Sequence, residues 1–178
     1  TKAAISRIGS GSQLMAYVNA QNEGWNPENL NFEIVGDIDG AVDALTGDRA
    51  QYFMWEYFTT KPFVDREIFR RVADCPTPWP CFVIAARKDI LEENPQEIKK
   101  MLEVVNNKTQ GFKEVPMIEE ELATRYGQKT QDIKKWLQKT SWSRDQITEE
   151  ELSKVQNTLK ELGLIDNSVS YSKIIFNL

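Results

Sequence analysis

The spacing of hydrophobic and polar positions alternates between two periods in the first half of the chain. Short apolar runs bounded by Gly, Asn and Asp predict strands just before Gly9 and at residues 32–35, 51–55, 69–74 and 81–86. Helical spacing predicts helices from Leu14 onward, at residues 41–45 and at residues 57–65. Strands and helices that alternate in this way predict an α/β fold, with a mostly parallel sheet and helices on its faces.

The second half of the chain has mainly helical spacing. Predicted helices begin at Pro95, run from residue 118 to 126, begin at Thr130, and begin at the capping-box sequence of residues 148–151. Apolar residues recur on one face of the first of these helices, and we expect that face to be buried: Ile98, Met101, Leu102 and Val105. The tail at residues 171–176 is interpreted as a final strand or a packed extension.

The first turn of the α/β region has the sequence Gly9-Ser10-Gly11-Ser12. Both serines are favoured N-cap residues, and both glycines lack the Cβ atom that limits close approach. The first turn of a helix presents unpaired backbone N–H groups and the positive end of the helix dipole. The turn therefore predicts either a tight strand-to-helix connection with an ordinary N-cap, or a site for a carboxylate, phosphate or sulfonate.

Composition narrows the classes of function. The 178 residues carry a net charge of −5 that is spread evenly, so no basic stripe for nucleic acid is present. No apolar run is long enough to span a membrane. Histidine is absent, which removes Ser-His-Asp and Cys-His chemistry and histidine-ligated metals from these residues. The sequence begins at Thr1, which we interpret as a processed, tagged or trimmed product.

The two cysteines, Cys75 and Cys81, flank a segment with three prolines. Their spacing matches no zinc motif, and two thiolates would fill only half of a tetrahedral site. Prolines favour extended backbone, whereas a disulfide requires a sharp turn here. We expect two reduced, mostly buried thiols, with a local disulfide as the alternative, and we expect no metal or cofactor.

Three segments in this order resemble a known family: residues 7–16, residues 41–47 followed by residues 52–62, and residues 76–85. They are similar to type-II periplasmic binding proteins, in the branch of nitrate, sulfonate, taurine and thiamine-pyrimidine proteins, including uncharacterised fungal members. The resemblance implies a ligand-binding α/β lobe at residues 1–80, then a hinge-return strand and a helical region at residues 81–178. It further implies that this is the second lobe of the fold, and that a first lobe of the same protein lies outside these residues.

The resemblance also implies a set of ligand-binding residues: Gly9, Ser10, Gly11, Ser12, Trp55, Glu56 and Trp79. Sheets of this class bind ligands at the carboxyl ends of their strands, where Trp55 and Glu56 are expected. Trp55 would stack on a flat ligand, and Glu56 would pair with a basic group. The alternatives are a core tryptophan with a solvated carboxylate, and a Trp79 that only packs the hinge.

The function implied is non-catalytic binding of an anionic or heteroaromatic molecule between two lobes that close about a hinge. A membrane permease would be the partner if the protein serves a transporter. The location would be periplasmic for a bacterial protein and cytoplasmic for a fungal-type member. The alternative is an enzyme similar to thiamine-pyrimidine synthases. That family uses a histidine and a cysteine-rich motif, and Cys75 and Cys81 do not match it.

Overall fold

The structure is a computed structural model that describes residues 1–176. The chain divides into two compact units, one formed by Thr1–Pro78 and the other beginning at Trp79. The predicted roles of residues 1–80 as a ligand-binding lobe and 81–178 as a hinge strand with a helical region stay predictions.

The first unit contains a three-stranded parallel sheet with helices on both faces. In chain order its elements are β1 (Lys2–Ile5), α1 (Gly11–Asn22), β2 (Asn31–Ile34), α2 (Ile38–Thr46), β3 (Tyr52–Phe53) and α3 (Tyr57–Asp65). The strand order is β2-β1-β3, and both pairings are parallel. This confirms the predicted α/β class.

The central strand β1 is buried on both faces because its side chains alternate. Ala3 and Ile5 form one core cluster with Ala16 of α1, whereas Ala4 packs on the other face with Ala44 of α2. Small side chains in β1 let both helices approach the sheet closely. The edge strands β2 and β3 are only half-covered on most of their positions.

The second unit is helical in the described residues. Its elements are α4 (Lys88–Glu93), α5 (Pro95–Gln110), α6 (Ile118–Tyr126), α7 (Thr130–Lys139), α8 (Glu149–Glu161) and α9 (Tyr171–Ile174). Ile118 and Leu122 of α6 pack against Ile133 and Leu137 of α7, with Trp136 at the margin of this cluster. The predicted bounds of α6, the start of α7 and the capping box of α8 are confirmed.

Two predicted strands are wrong for the described residues. Residues 69–74 and 81–86 have no assigned strand, and residues 70–86 make no backbone-to-backbone hydrogen bond in the described part of the chain. The second run was expected to be buried, yet Phe82 is 96% exposed, Val83 71% and Ile84 62%. Apolar composition alone cannot supply the neighbouring strands that a ladder requires.

Three smaller expectations are also corrected. On α5, Met101 and Val105 are exposed, although both were expected to face inward. Of the two interpretations of the tail, the strand is wrong, because residues 171–174 form the short helix α9. The thiols of Cys75 and Cys81 are free, as expected, but Cys75 is only half-buried and Cys81 is exposed. The errors at α5 and at the cysteines concern whether a surface is covered, which depends on contacts distant in sequence.

Candidate functional site

The carboxyl ends of the three strands share one edge of the sheet. Ile5 of β1 pairs with Ile34 of β2, and Ala4 of β1 pairs with Phe53 of β3. Each strand then leads through a short loop into a helix, whose N-caps are Ser10, Asp37 and Glu56. Two predicted groups, residues 9–12 and residues 55–56, therefore follow neighbouring strands at the same edge.

The serine side chains of the first loop form a buried hydrogen-bond network. Ser10 Oγ accepts from Gln13 N at 3.3 Å, which caps α1 as predicted, and Ser12 Oγ accepts from Ser6 N at 3.0 Å. The two hydroxyls are 2.9 Å apart, so one donates to the other. One serine hydroxyl proton is therefore still available to donate, while both oxygens already accept.

The same loop keeps backbone donors that have no partner in the described residues. Gly11 and Ser12 are the first two residues of α1, where a helix supplies no acceptor for the N–H group. Neither amide has another hydrogen bond in the described part of the chain. A Cβ atom at Gly11 would contact nothing within 4 Å. The loop can thus bind an acceptor group through Gly11 N, Ser12 N and one hydroxyl.

Gly9 has a backbone φ of +72°, which favours glycine at this position. Its amide donates to Oε1 of Gln13 at 2.7 Å. The Gly9 N–H group is thereby removed from the set of donors that were predicted to meet a ligand. Gly9 shapes the loop, and the later residues of the loop hold the free donors.

Two polar residues at this loop were missed by the prediction. Gln13 is buried against the loop, and Nη1 of Arg7 lies 4.0 Å from the position that a Cβ atom on Gly9 would take. A signal for Gln13 was present, since Ser10 and Gln13 have the spacing of a capping box, Ser-x-x-Gln. Arg7 carries no comparable signal, because sequence does not show where an exposed side chain folds.

Trp55 presents one aromatic face at the edge of the sheet. Its ring stacks on Phe53, with ring centroids 5.0 Å apart and planes 23° from parallel. Trp55 is 40% exposed, so it is not the core tryptophan of the alternative interpretation. Two further apolar side chains near strand ends, Ile8 and Ile34, are more than half exposed. This edge of the sheet therefore combines free hydrogen-bond donors with solvent-exposed apolar side chains.

Glu56 serves as the N-cap of α3. Its Oε2 accepts from Thr59 N at 2.7 Å and from Thr59 Oγ1 at 2.9 Å. Thr60 donates its hydroxyl to backbone carbonyls of the same turn. The predicted pairing of Glu56 with a basic group would have to use Oε1, which has no partner in the described residues.

Trp79 lies in the second unit and is half-buried. Its predicted contact with a ligand stays a prediction.

Burial raises the pKa of the Cys75 thiol, and the Nδ2 group of Asn22 lies 3.8 Å from its sulfur. Burial also raises the pKa of the Tyr52 phenol in β3. Neither residue belongs to the loop at residues 9–12.

Other features of the described residues do not add to this site. A cavity of about 190 Å³ in the second unit is lined by parts of α8 and of residues 168–171, none of which was predicted to bind a ligand. Within residues 1–176, no three His, Cys, Asp or Glu residues are grouped as metal ligands would be. In the same range, every helix is too short or too polar to cross a bilayer.

Residues 1–75 match the family model described as Ca3427-like PBP, where PBP denotes a periplasmic binding protein. A solved structure of the Candida albicans CA3427 gene product is similar to 95% of this chain, with a TM-score of 0.82 and 24% sequence identity. That product is described as defining a new family with the generic periplasmic-binding-protein fold. This chain has the periplasmic-binding-protein fold.

The comparisons confirm the predicted fold and the predicted resemblance to periplasmic binding proteins that include fungal members. The chain spans 58% of the length of the CA3427 structure that it matches. None of the curated proteins compared with this chain matches it.

Proposed function

We propose that this protein binds a small anionic or heteroaromatic molecule, without transforming it, at the carboxyl edge of its sheet. The observation that carries this proposal is that the loop at residues 9–12 holds hydrogen-bond donors without an acceptor in the described residues. Gly11 N, Ser12 N and one serine hydroxyl have no acceptor in the described residues. Donors fixed at the start of a helix favour ligands with negatively charged oxygen atoms.

In this proposal the aromatic residues contact the flat or apolar part of the ligand. One face of Trp55 is covered by Phe53, and its exposure leaves surface for a ligand ring. Offset stacking of aromatic rings contributes about 0.5–1.5 kcal/mol beyond burial of their area. Trp79 would add a second aromatic contact, and Oε1 of Glu56 would hold a basic substituent of a heteroaromatic ligand.

We further propose that a first lobe of the same protein supplies the opposite wall of the cleft. The exposed run at residues 82–86 supports this, because a strand that is apolar at successive positions is typical of an internal strand covered on both faces. The CA3427 structure supports such a lobe as well, because this chain covers only 58% of its length. Hinge closure of two lobes would exclude water from the ligand. A membrane permease would be the partner of a transport protein.

A thermal-shift screen followed by calorimetry tests the binding function. The probes are benzoate, benzenesulfonate, inorganic phosphate and 4-aminopyrimidine, which cover the proposed ligand chemistry. We expect at least one probe to raise the melting temperature and to bind with saturation. A probe whose free concentration is ten times its dissociation constant would stabilise the fold by about 1.4 kcal/mol. Absence of binding by all four probes contradicts the proposal, and steady chemical turnover of a probe contradicts its non-catalytic part.

Variants of the loop then locate the bound probe. We expect Ser10→Ala combined with Ser12→Ala to weaken binding at least tenfold, because it removes the free hydroxyl proton and loosens the loop. Loss of the Ser10 cap also costs about 1 kcal/mol of stability. Thr148→Ala is the matched control, since it removes an N-cap serving α8 in the other unit. Unchanged affinity in the double variant would show that the probe binds elsewhere.

A further inference from the structure

The carboxamide of Gln13 is held so that its nitrogen faces away from the hydrogen bonds of the loop. Gln13 keeps only 7% of its surface exposed. Its Oε1 accepts from Gly9 N at 2.7 Å, which requires an acceptor and so assigns oxygen to that position. Nε2, the other end of the same planar group, has no hydrogen-bond partner in the described residues.

This nitrogen is accessible from outside the loop. In residues 1–176, every fully buried side-chain nitrogen or oxygen has a hydrogen-bond partner. Because Nε2 of Gln13 has none, it must reach the surface. Two N–H donors of an otherwise buried side chain therefore reach the surface from the first turn of α1, the turn that also carries the free amides of Gly11 and Ser12.

The guanidinium group of Arg7 lies at the same loop. Its Nη1 is 4.0 Å from the position that a Cβ atom on Gly9 would take, and 3.4 Å from the carbonyl oxygen of Ile8. The carbonyl contact is long, and Arg7 forms no ion pair with a carboxylate in the described part of the chain. Arginine donors match planar oxyanions in a fork geometry.

We propose that Gln13 Nε2 and the Arg7 guanidinium bind the oxyanion end of a singly charged ligand, a carboxylate or a sulfonate. This inference rests on the proposed function, since it identifies the charged group that the same site recognises. The groups that are free at the loop are donors, and they include one full positive charge. A single negative charge with two or three oxygen acceptors satisfies them, whereas a cationic ligand would find no carboxylate within residues 6–13.

Two variants separate this role from a structural one. Gln13→Glu keeps an oxygen that accepts from Gly9 N, and Glu suits the capping-box position and the helix dipole. It replaces the NH₂ donor by a carboxylate oxygen, so the fold is kept while the recognition is reversed. Arg7→Ala removes an exposed guanidinium. Arg125→Ala, on α6 of the other unit, is the matched loss of an exposed arginine.

The probes are benzoate, benzenesulfonate and benzamidine, which share a benzene ring and differ in the charged group. Calorimetry and melting temperature are measured for the wild-type chain and each variant. We expect wild-type affinity for benzoate or benzenesulfonate to fall at least tenfold in Gln13→Glu and in Arg7→Ala. Arg125→Ala should stay within twofold of wild type. Gln13→Glu should bind benzamidine more tightly than wild type, with an unchanged or higher melting temperature.

The outcomes distinguish this inference from the proposed function. If an anionic probe binds the wild-type chain and both variants stay within twofold, the roles of Gln13 and Arg7 are wrong while the binding function stands. If only inorganic phosphate or 4-aminopyrimidine binds in the thermal-shift screen described above, the proposed singly charged oxyanion is wrong, and the binding function again stands. If no probe binds at all, the binding function itself fails and this inference fails with it.

Discussion

Gly40 shows how a single residue lets the first turn of α2 approach the backbone of Val35, the residue that follows β2. A Cβ atom at Gly40 would lie 2.0 Å from the carbonyl oxygen of Val35 and 3.3 Å from the Val35 Cβ atom. Alanine normally stabilises a helix relative to glycine. At this position the backbone contact outweighs that gain, because a carbonyl cannot move aside as a flexible side chain can.

We expect Gly40→Ala to lower the free energy of unfolding by about 1–3 kcal/mol, the range for overpacked sites. The measurement is urea denaturation followed by circular dichroism. Gly11→Ala is the control, since nothing lies within 4 Å of its Cβ position. It should leave stability unchanged or raise it by up to about 1 kcal/mol. Equal stability of the two variants would show that α2 does not approach Val35 as described.

The cysteines provide a second test at the residue scale. Cys81 is exposed, whereas burial raises the pKa of the half-buried Cys75 thiol and lowers its thiolate fraction near neutral pH. We expect iodoacetamide to alkylate Cys81 several-fold faster than Cys75 at pH 7.5, as measured by peptide mass spectrometry. Faster labelling of Cys75 would contradict this environment. Cys75→Ser and Cys81→Ser provide the single-thiol references.

At the scale of elements, α8 begins with a complete capping box. Thr148 Oγ1 accepts from Glu151 N at 3.1 Å, and Glu151 Oε2 accepts from Thr148 N at 2.8 Å. This backbone hydrogen bond and the one from the Thr148 hydroxyl lower the pKa of the Glu151 carboxyl group. The reciprocal bonds satisfy amides that a helix start otherwise leaves open.

The pH dependence of this box has a definite sign. A carboxyl group with a lowered pKa in the folded state contributes stability above its unfolded pKa of about 4.3 and loses it as pH falls through the folded value. We therefore expect Glu151→Gln to be less stable than wild type at pH 7, with the difference shrinking below about pH 4. Urea denaturation at several pH values measures it. A difference that grows on acidification would contradict the assignment.

The helix α5 illustrates what local patterns omit. Its apolar spacing is helical, and the helix forms as predicted, with Pro95 in its first turn. Its Met101 and Val105 are nevertheless exposed. Helical periodicity depends on neighbours three or four residues away, whereas covering that face requires a surface from elsewhere in the protein. The helix was therefore predictable and its burial was not.

At the scale of the whole molecule, most residues of the segment 70–86 are exposed. It makes no backbone-to-backbone hydrogen bond among residues 1–176, and Phe82 is almost fully exposed. We expect limited chymotrypsin digestion to cleave after Phe82 well before Phe58, which lies in α3 and is 8% exposed. Mass spectrometry of the fragments identifies the first site. Earlier cleavage at Phe58 would contradict the exposure of this segment.

The same digestion tests the proposed first lobe. In a longer polypeptide that also carries that lobe, residues 82–86 would pair within its sheet, and we expect cleavage after Phe82 to slow at least tenfold. Cleavage at an unchanged rate would show that the lobe leaves this segment uncovered. Phe82→Ser together with Ile84→Ser should leave the stability of the present chain unchanged, since both side chains are already exposed. By contrast, Ile5→Ala in the buried strand β1 should lower the free energy of unfolding by about 2–5 kcal/mol.

The sequence by itself determined the features that depend on near neighbours: the parallel α/β order, the cap at Ser10, the capping box at Thr148, and the placement of residues 9–12 and 55–56 at strand ends. Each of these follows from spacing or from contacts within a few residues. Only the tertiary structure decided that Gly9 N is already bonded, that Nε2 of Gln13 is open, and that residues 82–84 have no cover. Hydrogen-bond partners and burial depend on side-chain directions and distant surfaces, which no local pattern contains.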